Sequence, residues 1–289
     1  MSTSFDFDLL CIGSGPAGQR AAIQAAKLGK RVALVEKRPC VGGTCLEQGT
    51  IPSKTFREAV CALVPGNGRV GRGDEFRFDA QRTKRPAAEE LLHRIGMVAR
   101  RESQVVEQQL CRNEVELIRG EASFADPHTV AVVGAEGRRA VTADKILIAV
   151  GTYPAPPPGV PADGDIILTS DDLVRLRRLP KRLVVVGAGI IGMEYASMFA
   201  ALSIEVIVVD KRDRVLEFLD REAVDELMHH MRKQRVTFRL GEAVERLEIG
   251  EGTPAQAVVQ LESGKTLVAD QVLFSVGRIG ATSRLNLEA

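Results

Sequence analysis

The feature that most limits what this chain can fold into is a glycine-rich turn that occurs twice. Gly13-Ser14-Gly15-Pro16-Ala17-Gly18 follows a short apolar run at residues 8–12, and Gly187-Ala188-Gly189-Ile190-Ile191-Gly192 follows another at 183–186. Each turn opens a helical pattern, predicted over 19–28 and 193–202. Each helix leads to a second apolar run, at 31–35 and 205–209, which ends at Glu36 in the first copy and Asp210 in the second. Strand, tight turn, helix and strand make one βαβ unit. Two copies in one chain predict an α/β protein with two Rossmann-like dinucleotide-binding domains.

The spacing gives each residue a task. The first glycine permits the sharp turn, the second lets the backbone approach a pyrophosphate, and the third lets helix and strand pack closely. The helix start offers free N–H groups and a partial positive charge to phosphate. An acid about twenty residues on accepts hydrogen bonds from a ribose hydroxyl, and Glu36 and Asp210 stand there. A lone glycine fingerprint is weak, because glycine turns are common; strand, helix, second strand and acid in order, twice over, are not. Asp210 as the ribose acid favours NAD, since a carboxylate repels a 2′-phosphate. Lys211 and Arg212 follow at once and would either neutralise such a phosphate or be solvated loop charges. The choice between NAD and NADP stays open, and dual use is compatible with both.

Composition removes other classes. Net charge is +1, so no global field draws the protein to nucleic acid or an anionic membrane. Aromatic residues are 4%, with no Trp, which argues against a base-stacking surface. The apolar runs have strand length, far short of a membrane span. Residues 1–8 lack the basic and apolar stretches of a signal peptide, which predicts a cytoplasmic protein. Cys11, Cys40, Cys45, Cys61 and Cys111 form no CxxC and no zinc-like pairing, so no metal site is expected; Cys11, Cys61 and Cys111 read as inert thiols. His229 and His230 adjoin on a helix and face different ways, as solvated residues do.

A chain of 289 residues suits two domains. Residues 65–86 have no apolar period and read as a loop, 87–112 as a helix, and 115–118, 129–133 and 145–150 as strands. Dense proline from Pro154 to Pro161 predicts a stiff connector. The division is therefore 1–151 for the first domain, 152–168 for the connector and 169–289 for the second domain, with strands at 257–261 and 271–276 closing it.

Gly42-Gly43-Thr44-Cys45-Leu46-Glu47-Gln48-Gly49-Thr50-Ile51-Pro52-Ser53-Lys54 resembles the active-site segment of the flavoprotein disulfide reductases. In that family a second Cys precedes the Ile-Pro-Ser-Lys run and forms a redox disulfide with the first. Here that position is Thr50, whose hydroxyl forms no disulfide. Cys40 has the same spacing to Cys45 but precedes the glycine pair. The Gly-Thr-Ile-Pro-Ser-Lys run and the second fingerprint through Ser197 resemble the transhydrogenase branch of that family, as do Lys211-Arg212-Asp213-Arg214, Ser170-Asp171-Asp172 and Gly277-Arg278.

The resemblance implies FAD in the first domain and NAD or NADP in the second. It implies that Glu36 and Lys37 meet the FAD adenosine, and that Gly42, Gly43, Thr44 and Cys45 line the pyrophosphate and isoalloxazine. Gly120 and Ala122 would touch the adenine, Gly151 would end the last FAD-domain strand, and Ile190 would stand where some relatives place a gating tyrosine. Lys54 and Glu194 match an ion pair beside the flavin, and with Cys45 they are the implied catalytic residues. The function implied is hydride transfer between NADPH and NAD+ through the flavin, with small-molecule nucleotides as partners. A lipoamide-dehydrogenase-like dithiol enzyme and a non-catalytic dinucleotide-binding fragment stay open as alternatives. In relatives the chain goes on, returning to the FAD domain and adding a dimerisation domain. The first domain is therefore expected to lack its C-terminal return and to hold FAD weakly, with homo-oligomers expected only for a full-length form.

Overall fold

The computed structural model of the protein describes residues 5–63, 87–157, 159 and 161–289. The loop predicted at 65–86 lies outside them. The chain divides into two compact units, Met1–Pro52 with Gly96–Tyr153 and Ile279–Ala289, and Ser53–Ile95 with Pro154–Arg278.

The first unit contains β1 (Phe7–Ile12), α1 (Pro16–Lys27), β2 (Val32–Glu36), the short α2 (Gly43–Glu47), and the start of α3 (Thr50–Leu63). It continues with most of α4 (Ala88–Arg112), β3 (Glu116–Arg119), β4 (Glu121–Asp126), β5 (Thr129–Gly134) and β6 (Gly137–Ile148). Its sheet runs β3-β2-β1-β6-β5-β4. The pairs from β3 to β6 are parallel, and the long β6 continues into an antiparallel meander with β5 and β4. Leu10, Ala33, Val130 and Val141 fill one face, and Cys11, Leu34, Ala22 of α1 and Leu110 of α4 fill the other. Residues buried on both faces explain why β1 and β2 read as continuous apolar runs and not as alternating ones.

The chain crosses to the second unit through β7 (Thr152–Pro154) and back through β16 (Arg278–Gly280). Between them lie β8 (Ile167–Thr169), β9 (Arg182–Val186), α5 (Ile190–Ala201), β10 (Glu205–Asp210), α6 (Arg221–Lys233), β11 (Val236–Leu240), β12 (Val244–Gly250), β13 (Gln256–Leu261), β14 (Thr266–Ala269) and β15 (Gln271–Phe274). A parallel sheet runs β11-β10-β9-β15-β8, and an antiparallel one runs β12-β13-β14. The order β11-β10-β9-β15 repeats β3-β2-β1-β6 of the first unit, so the duplicated Rossmann-like α/β fold is present in full.

Both helices start three residues earlier than predicted, at Pro16 and Ile190, with Gly15 and Gly189 as N-caps. The glycine turn itself is thus the first helical turn. α5 is apolar on all sides, which fits a helix covered twice over. One face lies on its sheet, and Phe56 and Val60 of α3 and Leu91 and Ile95 of α4 join the same core as Tyr195 and Phe199. The Phe56 ring sits 6.1 Å from that of Tyr195 and 5.8 Å from that of Phe199.

That packing corrects the division read from sequence. Residues 53–95, predicted within the first domain, belong to the second unit because their apolar face covers α5. Ile279–Ala289, predicted within the second, return to the first: Leu285 is buried in its core and accepts the Phe124 N–H at 2.7 Å. The expected lack of a C-terminal return therefore does not hold for this segment. The end of the 152–168 connector is also structured, since the Asp163 carboxylate accepts the N–H groups of Asp165, Ile166 and Ile167 and so starts β8. Residues 158 and 160 of that connector lie outside the described set. No described helix is long and apolar enough to cross a membrane.

Candidate functional site

In the first unit the turn between β1 and α1 is fixed by sterics. Gly13 has φ +105°, and a Cβ there would lie 2.4 Å from the Ala149 carbonyl oxygen. Its N–H donates to Val35 O at 2.8 Å, which extends the β1–β2 ladder into the turn. A Cβ on Gly18 would lie 1.9 Å from Gly13 O, so only glycine allows α1 this close to its strand.

Glu36, at the end of β2, is buried and points back at the turn. One carboxylate oxygen accepts both the N–H and the hydroxyl of Ser14, and the other accepts the Arg38 N–H at 2.9 Å. The fully buried Ser14 hydroxyl also accepts the Gly42 N–H at 3.0 Å, which ties the 37–43 loop to the same point. The Arg38 guanidinium donates to Glu47 on α2 at 2.7 Å and holds the far end of that loop.

These elements surround a cleft of about 650 Å³. Its lining contains Gly13, Ser14, Gly15, Pro16, Ala17, Glu36, Lys37, Gly43, Thr44, Cys45, Gly120, Ala122 and Gly151, all named from sequence. Gly18 and Gly42 stand behind the wall and shape it. Sequence reasoning missed Arg38, Tyr153, Ser283, Arg284 and Leu285, which also line it. Glu121 links the two ends of the lining, 3.6 Å from Lys37 Nζ and 3.5 Å from the Arg284 guanidinium. No local signal marks Ser283 to Leu285, because they join this wall only through the return of the chain.

All five cysteines are free thiols. Cys45 is half-buried on the cleft, Cys40 is exposed, and Thr50 begins α3. Burial pushes the Cys11 thiol up to about 12, as suits a packing residue.

The second unit repeats the turn. Gly187 has φ +107°, its N–H donates to Val209 O at 2.8 Å, and a Cβ would lie 2.5 Å from Ser275 O. A Cβ on Gly192 would lie 2.0 Å from Gly187 O, while Gly189 has open space in front of it. Asp210 is buried at the end of β10 and accepts the Ala188 N–H at 2.6 Å. Arg212 adds its own N–H at 2.9 Å and a two-pronged guanidinium, Nε at 2.9 Å and a terminal nitrogen at 2.6 Å. Burial works to raise the Asp210 carboxyl, but the bonds and charge of Arg212 and the Ala188 amide outweigh it and hold it below its ordinary value. The same pairing raises Arg212. Lys211 is exposed beside them.

Lys54 on α3 and Glu194 on α5 form an ion pair. Ile190, one turn before Glu194 on the same helix, is exposed, and Ile191 is half-buried. Arg278 donates to the Asp171 carboxylate at 2.8 Å and to the Ser170 hydroxyl at 3.2 Å, and Gly277 precedes it with φ +135°. His229 and His230 are both exposed on α6, and His230 pairs with Glu226 at 2.8 Å.

Known proteins share this arrangement. The chain is 49% identical over 284 residues to the soluble pyridine nucleotide transhydrogenase of Mycobacterium tuberculosis, covering 98% of this chain and 59% of the relative. It is 37% identical over 290 residues to that of Colwellia psychrerythraea, covering all of this chain and 60% of the relative. This chain thus spans about three fifths of the curated relatives it matches. Among solved structures it superposes on the HOCl-induced flavoprotein disulfide reductase RclA from Escherichia coli with a TM-score of 0.80 and 29% identity, over 97% of this chain and 59% of that one. LpdA from Mycobacterium tuberculosis matches with a TM-score of 0.84 and 26% identity, over 97% of this chain and 61% of that one. Residues 7–289 match the family described as pyridine nucleotide-disulphide oxidoreductase, and the chain belongs to that family.

Proposed function

We propose that this chain carries the FAD-binding and nicotinamide-nucleotide-binding parts of a soluble pyridine nucleotide transhydrogenase, which moves a hydride between NADPH and NAD+ through the flavin. The carrying observation is the pair of superimposable glycine turns, each backed by a buried acid. The first cleft fits FAD. Its volume lies within the range of about 300–1,000 Å³ usual for ligand sites, its glycines leave backbone where a Cβ would intrude, and Glu36 keeps acceptor capacity for a ribose. The second turn fits a nicotinamide nucleotide on the same grounds.

The flavin, when bound, supplies the capacity to accept and pass on two electrons and a proton. The residues of the chain bind, orient and polarise. The starts of α1 and α5 offer N–H groups to the pyrophosphates. Lys54 brings positive charge to the reduced ring, and Glu194 fixes that ammonium and positions the nicotinamide. Thr50 in place of a second thiol favours this reading over dithiol chemistry, because Cys45 has no partner in the family's position. The reading has the protein acting in the cytoplasm on small nucleotides. The names of its relatives support that, and so does the lack of a membrane-length apolar helix among the described residues.

The test is to supply NADPH and thio-NAD+ to the purified, FAD-loaded protein and follow thionicotinamide reduction. Reduction without added dithiol is expected. No reduction with FAD bound rejects the proposal, and two new thiols per flavin after NADH treatment would support a dithiol enzyme instead.

A further inference from the structure

The acid of the second turn is saturated. A carboxylate offers about four acceptor positions. At Asp210 the backbone and side chain of Arg212 take three, and the Ala188 N–H takes the fourth. At Glu36 the described residues supply three donors, the N–H and hydroxyl of Ser14 and the Arg38 N–H, and one acceptor position stays open. A ribose 2′-hydroxyl can therefore reach Glu36 directly, but at Asp210 it must first displace a donor. The Ala188 N–H and the Arg212 N–H belong to the fixed backbone of the turn and strand end. The guanidinium is the movable part, since it is 39% exposed against 5% for the carboxylate.

We infer that the Arg212 side chain sorts nicotinamide nucleotides by their 2′ substituent, acting as a plug on Asp210 that each nucleotide displaces in a different way. This rests on the reading of the second turn as a nicotinamide-nucleotide site. When a 2′-hydroxyl enters, the guanidinium leaves and the hydroxyl donates to the freed carboxylate. When a 2′-phosphate enters, the guanidinium turns to it with the same two-pronged face it now shows to Asp210, because carboxylate and phosphate present matching oxygen pairs to arginine. Asp210 alone would repel the phosphate, and arginine alone would forgo the hydroxyl contact. The pair accepts both because one member neutralises the other until a nucleotide arrives. Glu217, 4.0 Å from a guanidinium nitrogen, offers the released side chain a second resting place. Lys211 and Arg214, both exposed nearby, keep the neighbourhood positive.

The probes are 5′-AMP and 2′,5′-ADP, which differ by the 2′-phosphate alone, titrated calorimetrically into the full chain and two variants. Wild type should bind both. Arg212→Ala should weaken 2′,5′-ADP by about tenfold or more, the scale of a lost charge-assisted pair, and tighten 5′-AMP a few-fold. Asp210→Asn should do the reverse, tightening 2′,5′-ADP and weakening 5′-AMP. Opposite signs across two variants cannot arise from a general loss of folding, which would weaken both probes together. Parallel changes in both probes, or unchanged binding in both variants, overturn the inference while leaving the nucleotide site in place. Wild type binding neither probe would remove the nucleotide reading and this inference with it.

Discussion

The two glycine turns share a backbone and differ at the acid. Gly13 and Gly187 have φ values two degrees apart, and both donate 2.8 Å hydrogen bonds to the next strand. Glycines five residues on meet the first glycine's carbonyl at nearly the same hypothetical distance. Yet Glu36 is held by a serine within its own turn, while Asp210, one carbon shorter and facing an alanine in that place, is held by an arginine beyond the strand. Strand ladders and steric limits thus dictate the turn. The chemistry behind it depends on its second residue: Ser14 supplies a hydroxyl that occupies the carboxylate, and Ala188 leaves that space for a guanidinium.

The comparison would break first at the close contact between helix and strand. Gly18→Ala and Gly192→Ala each drive a methyl group into backbone, and overpacking of that kind costs about 1–3 kcal/mol. Backbone cannot step aside as a side chain can, so the upper end is expected in both. Urea midpoints should fall by similar amounts. A Gly192→Ala protein as stable as wild type would show that the second turn is not the rigid copy described, whatever the first one does.

A smaller effect separates the turns. Ser14→Ala leaves Glu36 and the Gly42 N–H each one partner short in a buried setting, a loss of about 1–3 kcal/mol for such groups. Because Gly42 belongs to the loop on the cleft, flavin affinity should drop along with stability. The measurement is recovery of flavin fluorescence on dilution. The second turn has no equivalent hydroxyl, so nucleotide binding there should be unchanged. Weakened binding at both turns would mean that Ser14 acts on the whole protein and not on its own loop.

Smaller still is Cys45→Ser. If the flavin passes electrons without a protein disulfide, turnover should change by less than about twofold, roughly 0.4 kcal/mol of barrier. Abolished turnover would restore the dithiol alternative.

Most of this fold was legible because it is local. The strands of both βαβ units, their helices and their acids lie within about thirty residues of one another, and glycine and apolar period mark each boundary. What escaped is held by distant contacts. β4 has mixed burial and no clean alternation, so its residues passed as part of a turn region. The apolar face of α3 and α4 was plain, but nothing in its period says which unit it covers. Only the all-round apolarity of α5 hints that a second layer must lie over it. Leu285 is a lone buried anchor far in sequence from Phe124, so the returning segment looked like the tail of the second domain. In the site, Lys54 and Glu194 were paired by resemblance alone, 140 residues apart. The part Arg212 plays was not decidable from sequence, since a solvated arginine and a carboxylate-bound one look alike there.

The smallest expected effect sharpens the same contrast through pH. Asp210 titrates below its ordinary value near 3.9. Its contribution to stability is therefore complete above about pH 4 and disappears as pH falls through the lowered folded value. Asp210→Asn should be less stable than wild type at neutral pH, and the gap should close as the medium is acidified below about pH 4. In the first unit, Asp8 and Arg31 pair at 3.2 Å on the surface, where salt screens the attraction. Raising salt should thus weaken any share from that pair while leaving the Asp210 gap in place, because its carboxylate is almost wholly out of solvent. Urea midpoints of wild type and Asp210→Asn across this range, at low and high salt, measure it. A gap that persists unchanged into acid would mean that Asp210 is held by shape and not by charge, and the plug would lose its electrostatic basis.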